Sequence, residues 1–157
     1  MYYELTINPD FEVGCNLEDY ELGEFDLTKF WEMGNLEGNE LADLQIDISS
    51  GEVSDYLSPP ISLPIVSEKL KLYIEKWNDR INFIKLDPAI RRFGVNCQYY
   101  LMEFESSMEA AKGIELGLDI FRAKNEGSGS ILFSEVAAKG MRFGDFKGVA
   151  FIEHPGV

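Results

Sequence analysis

The sequence predicts an α+β protein of one domain, residues 1–157, with a mainly antiparallel sheet and two or more short helices. Three observations support this fold class. The 157 residues are 45% hydrophobic, which is ample for one core. Segments with the two-residue alternation of strands outnumber segments with helical periodicity. The two kinds of segment also do not alternate regularly along the chain, as they do in folds built on a parallel sheet.

The first elements are short and separated by irregular, acidic sequence. Residues 2–7 read as a strand that ends at the turn signal Asn8-Pro9-Asp10. Residues 11–25 are acidic and irregular, and residues 26–31 allow either a helical turn or a short strand. Residues 41–48 alternate apolar and polar side chains toward their end, which predicts a half-buried strand with one wet face.

The second part of the chain has clearer signals. Ser67 is a predicted N-cap, and the helix after it runs to about Asn78 with Leu70, Ile74 and Trp77 on one face. The further predicted elements are strands at 81–86, 95–104, 131–133 and 149–152, a turn or short helix at 106–113, a flexible turn at 125–130 and a helix at 135–141. Residues 115–123 fit a strand and a helix equally well.

The negative charge lies almost entirely in the first third of the chain. Residues 1–56 hold fifteen Asp and Glu and one Lys, whereas residues 57–157 hold thirteen acids and thirteen bases. We therefore expect an acidic sub-region, 1–56, and a charge-balanced α+β scaffold, 57–157, joined by the proline-rich connection at 58–64. Such concentrated charge creates a field that attracts a cationic partner.

Composition also excludes several classes of partner and compartment. The two cysteines, Cys15 and Cys97, are expected to be reduced thiols of a cytoplasmic protein. The first residues lack the basic region and apolar run of a signal peptide, and no stretch approaches the roughly 20 apolar residues of a membrane helix. Negative charge repels nucleic-acid phosphate and anionic lipid, so neither nucleic acid nor a membrane is expected as a partner.

The sequence carries no convincing catalytic or metal-binding pattern. Its one histidine, His154, lies near the end of the chain, and neither cysteine belongs to a zinc-type spacing. Carboxylate pairs are abundant, but fifteen acids in one segment guarantee them by number. We therefore predict a protein that is not an enzyme and has no metal or cofactor. A small carboxylate-dependent hydrolase and an acidic nucleic-acid-mimicking binding protein remain the alternatives.

The predicted binding residues lie in the acidic sub-region. Carboxylates there would steer a basic protein toward the surface, and neighbouring aromatic side chains would anchor it. The predicted steering residues are Glu18, Asp19, Glu21, Glu24 and Asp26, and the predicted anchors are Phe25, Phe30 and Trp31. The oligomeric state is not predicted.

One pattern occurs twice. Ile65-Val66-Ser67-Glu68 and Leu132-Phe133-Ser134-Glu135 both place an apolar pair before a Ser-Glu helix start. Because this capping pattern is common, the two copies do not by themselves establish a repeat.

Several motifs follow one another in a fixed order after the proline connection. They are Pro60-Ile61-Ser62, Ile65 to Leu70, Ile81-Asn82-Phe83-Ile84, Tyr99-Tyr100-Leu101, Asp119-Ile120-Phe121-Arg122, Ile131 to Glu135 and Gly148-Val149-Ala150-Phe151. In order and spacing they resemble a bacterial family associated with polymorphic toxins, of the immunity protein eleven type. The resemblance implies a small cytosolic protein that binds and neutralises a cognate toxin. No functional residue is carried over from the turn after the Tyr-Tyr strand, because the family's aspartate-containing turn is Glu105-Ser106-Ser107-Met108 here.

Overall fold

The computed structural model describes residues 1–8, 17–21, 45–48, 54–57, 64–85, 90–92, 98–104, 107–125, 128–141 and 144–155. These residues form eleven strands and three helices, which confirms the predicted α+β class. The strands are β1 (Tyr2–Ile7), β2 (Leu17–Glu21), β3 (Gln45–Ile48), β4 (Tyr56–Leu57), β5 (Ile65–Ser67), β6 (Ile81–Lys85), β7 (Ile90–Arg92), β8 (Tyr99–Phe104), β9 (Ile120–Asn125), β10 (Ser128–Ser134) and β11 (Val149–Glu153). The helices are α1 (Glu68–Glu75), α2 (Ala110–Glu115) and α3 (Glu135–Met141).

The strands make three sheets. Two are four-stranded and antiparallel throughout, with the orders β4-β5-β8-β6 and β9-β10-β1-β11. The third is β2-β3-β7, in which β2 and β3 are antiparallel and β3 and β7 are parallel. The predicted mainly antiparallel arrangement is therefore correct. Although β1 belongs to the acidic sub-region by sequence, it pairs with β10 and β11 of the charge-balanced region.

Helix α1 forms where the sequence predicted a capped helix. The Ser67 backbone is extended (φ −68°, ψ 165°), and its hydroxyl accepts a hydrogen bond from the Leu70 N–H, as an N-cap does. Leu70 and Ile74 lie one turn apart and are fully buried. The helix ends at Glu75, three residues before the predicted end.

One hydrophobic core joins the two antiparallel sheets with α1 and α3. It includes Val66, Ile74, Met102, Phe133 and Met141, so every one of these elements contributes. The two helices also meet directly, because the Tyr73 hydroxyl of α1 donates to the Ala137 carbonyl of α3 (2.6 Å). In the part of the chain that the structure describes, no helix is long and apolar enough to cross a bilayer.

The two antiparallel sheets have the same topology. In each, two antiparallel strands lead into a helix, the third strand lies at the far edge, and a fourth strand lies between the second and the third. We call β4, β5, α1, β6 and β8 the first unit, and β9, β10, α3, β11 and β1 the second unit. The fourth strand of the second unit is thus β1, which precedes the rest of that unit in the sequence.

The two capping serines are equivalent within these units. The Ser67 hydroxyl donates to the Asp55 carboxylate (2.6 Å), and the Ser134 hydroxyl donates to the Asp119 carboxylate (2.7 Å). The backbones repeat the pattern, because the Ser67 N–H donates to the Asp55 carbonyl and the Ser134 N–H to the Asp119 carbonyl. The repeated Ser-Glu pattern in the sequence therefore marks a real structural repeat.

A tyrosine on the fourth strand repeats as well. The Tyr99 hydroxyl on β8 donates to the Ser54 carbonyl (2.9 Å), and the Tyr2 hydroxyl on β1 donates to the Leu118 carbonyl (2.9 Å). Ser54 and Leu118 each precede the aspartate that binds the capping serine. This long-range contact confirms that β1 occupies in the second unit the place of β8 in the first.

Other elements differ from the prediction. Residues 17–21 form β2 rather than irregular chain, and β7 was not predicted. The ambiguous residues 115–123 divide into the end of α2 and the start of β9. The turn predicted at 125–130 is shorter in the structure. The ladder between β9 and β10 continues outward as far as the pair of Asn125 with Ser128, through small residues of low strand propensity.

Helix α2 covers the second sheet on the face opposite the core. It packs there beside Phe121, Ala123 and Leu132, and the closest approach is at Gly113. A Cβ at Gly113 would overlap three atoms of the Phe121 ring, which is only 3% exposed.

Gly113→Ala is therefore expected to lower the free energy of unfolding by about 1–3 kcal/mol, the usual cost of overpacking. This outweighs the gain of about 1 kcal/mol that alanine gives over glycine in a helix. Chemical unfolding measures the change. Gly113→Ala combined with Phe121→Leu should recover part of the loss, and Lys112→Ala on the exposed face should have little effect. A stabilised Gly113→Ala variant would contradict the close packing of α2.

Candidate functional site

The three-stranded sheet gathers acidic positions on one face. In its register Asp19 of β2 lies opposite Asp47 of β3, and Asp47 lies beside Arg91 of β7. Alternation along a strand places Glu21 and Gln45 on the same face as this row. The opposite face receives Tyr20, Ile46, Ile90 and, beside Ile48, Arg92. The first face therefore collects the acidic positions, and we call its positions, Asp19, Glu21, Gln45, Asp47 and Arg91, the acidic face.

Glu18 holds a special place in β2. Leu17 pairs with Ile48 and Asp19 with Asp47, so β2 advances two residues where β3 advances one. Glu18 is the extra residue of this β-bulge, which interrupts the regular alternation at that point. Of the three predicted steering residues on β2, Asp19 and Glu21 thus share the acidic face by register, and Glu18 marks the irregularity beside them.

The pairing of Asp19 with Asp47 has an energetic consequence. Directly opposite residues of an antiparallel pair have Cβ atoms about 4.5–5.5 Å apart, and like charges at such positions destabilise the sheet. A cationic group brought to this row would relieve that repulsion. Arg91 provides one cation in the row, while the three carboxylates of the acidic face leave it with net negative charge.

The remaining predicted site residues lie outside the described residues. They are Glu24, Phe25, Asp26, Phe30 and Trp31. The site as described therefore consists of backbone-placed carboxylates, and the predicted aromatic anchors stay predictions.

Two members of the acidic face were not among the predicted site residues. Asp47 belonged to the wet face of the predicted strand at 41–48, so its alternation was a usable signal. Arg91 had no local signal, because β7 joins the sheet only through parallel pairing with β3, far away in sequence.

A second feature is a cavity of about 330 Å³ where the first unit meets the second. Its walls come from the connection after α1 and from the start of β9, and the Asn78 side-chain amide joins the two by donating to the Ile120 carbonyl (3.0 Å). This volume lies within the range of ligand pockets. The residues that line it are Trp77, Asn78, Asp79, Arg80, Ile81, Phe104, Met108, Leu118, Asp119, Ile120, Phe121 and Arg122.

The cavity wall contains a buried cation. Arg122 is 4% exposed, and burial lowers the pKa of its guanidinium to about 10. Because this value is still far above neutral pH, Arg122 remains protonated there. Trp77, Phe104 and Met108 supply apolar surface in the same wall. The cavity thus offers both charge and apolar contact.

The described ranges contain no group of three or more His, Cys, Asp and Glu side chains that could hold a metal ion. His154 lies just after β11, where its backbone N–H donates to the Tyr2 carbonyl (2.9 Å). Cys15 and Cys97 fall outside the described residues.

Comparisons of this chain with protein-family models, with curated proteins and with solved structures find no match.

Proposed function

We propose that this chain is a non-enzymatic immunity or inhibitor protein of the bacterial cytoplasm, which binds and neutralises a cognate basic toxin. The observation that carries the proposal is the acidic face, where Asp19, Glu21 and Asp47 share one side of a small sheet. The resemblance of the later motifs to the immunity protein eleven type supports the same function independently of charge.

The expected mode of binding is electrostatic steering followed by local contact. An acidic surface accelerates encounter with a basic protein by about 10–10³-fold at low salt. Among the described residues β2 lies at the edge of its sheet, so two of the three acidic positions, Asp19 and Glu21, belong to an edge strand. Opposed carboxylates also favour a partner that brings Lys or Arg to the Asp19–Asp47 row, since its charge removes the repulsion.

The hydrolase alternative requires two carboxylates in one pocket. The cavity between the units does have Asp79 and Asp119 in its wall. However, the Asp119 carboxylate accepts the Ser134 hydroxyl, as Asp55 accepts Ser67 in the other unit. The position of Asp119 is thus explained by the helix cap, which favours binding over hydrolysis as the function.

Reversing the charge of β2 tests the proposal. The partner is the toxin domain expected from the neighbouring gene, and the variant combines Glu18→Lys, Asp19→Lys and Glu21→Lys. We expect association at low salt to slow by about tenfold or more, with a flatter dependence on ionic strength. Stopped-flow or surface-based kinetics measures this, and circular dichroism checks that the fold is intact.

The matched control carries the same charge change on the balanced region. Glu109, Glu115 and Glu153 are exposed and lie outside the acidic sheet, so their joint replacement by Lys makes the same change in net charge and, among the described residues, removes only one exposed ion pair, Glu115 with Lys112 (3.7 Å). Equal slowing by both triple variants would show that only net charge matters. Association that stays unchanged in the β2 variant would place the interface elsewhere, and a chain that fails to protect cells from that toxin would refute the function.

A further inference from the structure

The two units meet at two equivalent junctions. At each, the connection after the helix of one unit approaches the aspartate that precedes the first strand of the other. At the first junction the Lys147 N–H donates to the Asp55 carboxylate (2.7 Å), and the Asp55 N–H donates to the Lys147 carbonyl (2.8 Å). One peptide segment therefore satisfies both the N–H and the second carboxylate oxygen of Asp55.

The second junction is built differently. Asp119 is the equivalent of Asp55, and its carboxylate accepts the Ser134 hydroxyl. Lys147 hydrogen-bonds both the N–H and the second carboxylate oxygen of Asp55. Within the described ranges no residue makes the corresponding bonds to Asp119. At this junction the Asn78 side-chain amide donates to the Ile120 carbonyl instead.

Loop length explains the difference. The connection between α3 and β11 covers residues 142–148, whereas the connection between α1 and β6 covers residues 76–80, two residues fewer. The shorter connection makes no hydrogen bond to Asp119 among the described residues, although its Asn78 reaches the neighbouring Ile120. A cavity of about 330 Å³ lies at this junction, with Asp119 in its wall.

We infer that this cavity is a binding site for a short peptide segment of another protein. The segment would repeat at Asp119 what Lys147 does at Asp55, with its N–H donating to the carboxylate and its carbonyl accepting the Asp119 N–H. The main-chain N–H and C=O of one residue offer this donor and acceptor at the spacing seen for Lys147 at the first junction. Apolar surface from Trp77, Phe104 and Met108 would take one side chain of the segment.

The chain itself indicates which sequence fits. Residues 144–148, Gly-Asp-Phe-Lys-Gly, form the segment that completes the first junction, where the Phe146 ring packs edge-on against Tyr73 (5.5 Å between centroids). A segment with an aromatic or aliphatic residue between polar neighbours should therefore suit the second junction. The inference does not depend on the acidic face or on the partner being a toxin.

The test uses the capped peptide acetyl-Gly-Asp-Phe-Lys-Gly-amide as the probe and the full chain as the receptor. Titration followed by ¹⁵N–¹H NMR should shift the Asp119 amide and the Trp77 indole together and saturably. We expect a dissociation constant of about 1 mM, as weak contacts of this size allow. Absence of shifts at Asp119 up to about 10 mM peptide, tenfold above that constant, would overturn the inference.

Two matched controls decide whether the predicted bonds hold the peptide. Asp119→Asn keeps one side-chain oxygen for the Ser134 hydroxyl and replaces the other oxygen with an amide N–H donor. This variant should weaken peptide binding at least tenfold. Glu115→Gln, on the exposed face of α2, should leave peptide binding unchanged. The peptide N-methylated at its lysine lacks the N–H that Asp119 accepts, so it should not bind the unaltered chain. Equal binding of the methylated peptide, or of the Asp119→Asn variant, would overturn the proposed site. If that variant fails to fold, the methylated peptide alone decides.

Discussion

Removal of residues 1–8 is expected to abolish cooperative folding, and reattaching the same residues after residue 157 is expected to restore it. Strand β1 lies between β10 and β11 and pairs with both, so its loss leaves β11 without a neighbour among the described strands. Its Leu5 is buried in the core, and Tyr3 packs against the same core. The free energy lost with this apolar burial and with two ladders of hydrogen bonds is expected to exceed the 5–15 kcal/mol by which a typical domain is stable.

The repeat explains why relocation should succeed. In the first unit the fourth strand, β8, follows the edge strand β6 in sequence, whereas in the second unit the fourth strand, β1, comes before all other elements of that unit. Glu153 at the end of β11 lies opposite Tyr3 at the start of β1 in antiparallel register. Residues 154–157 with a short Gly-Ser linker are therefore long enough to join them as a hairpin.

Thermal unfolding followed by circular dichroism measures the three chains. The truncated chain should show no cooperative transition, and the relocated chain should melt cooperatively near the original temperature. A relocated chain with Leu5→Asp is the control, and it should not be rescued because a charge would enter the core. A cooperative transition in the truncated chain, or none in the relocated one, would contradict the assignment of β1 to the second unit.

Local sequence signals identified most elements but not their partners. Ser67 with Glu68 and the buried Leu70 and Ile74 lie within two helical turns, so the helix was readable from a short window. Pairing between distant segments has no such signal. Tyr2 lies opposite Ser134 in the sheet, and the sequence around neither residue predicts that pairing. The repeat was not recognisable from the sequence for the same reason, because the fourth strand of the second unit lies at the other end of the chain.

The candidate sites show the same limit. Charge concentration in residues 1–56 pointed to Glu18, Asp19 and Glu21, and register then added Asp47 to their face. The cavity had no sequence signal of its own. It lies beside the α1–β6 connection, which is two residues shorter than the α3–β11 connection. These two connections correspond to each other only through the shared topology of the two units, which the sequence does not reveal.

Phe133→Ala is expected to lower the free energy of unfolding by about 3–5 kcal/mol, the usual loss for a buried phenylalanine. Phe133 is fully buried on β10, and its ring packs edge-on against Phe151 of β11 with centroids 5.2 Å apart. Truncation leaves a cavity in the middle of the core that the surrounding strands cannot close. Urea unfolding measures the loss. Val136→Ala is the control, because Val136 is 64% exposed on α3 and should change stability by less than about 0.5 kcal/mol.

The form of the unfolding curve is as informative as its midpoint. Phe133 belongs to the second unit, but the core it fills also contains Leu70 and Met102 of the first unit. Because the largest core is shared by both units, damage at Phe133 should lower the stability of both together and leave one cooperative transition. Two transitions, with the first unit persisting after the second has unfolded, would show that the units are independently stable. A loss below about 1 kcal/mol would contradict the burial of Phe133 itself.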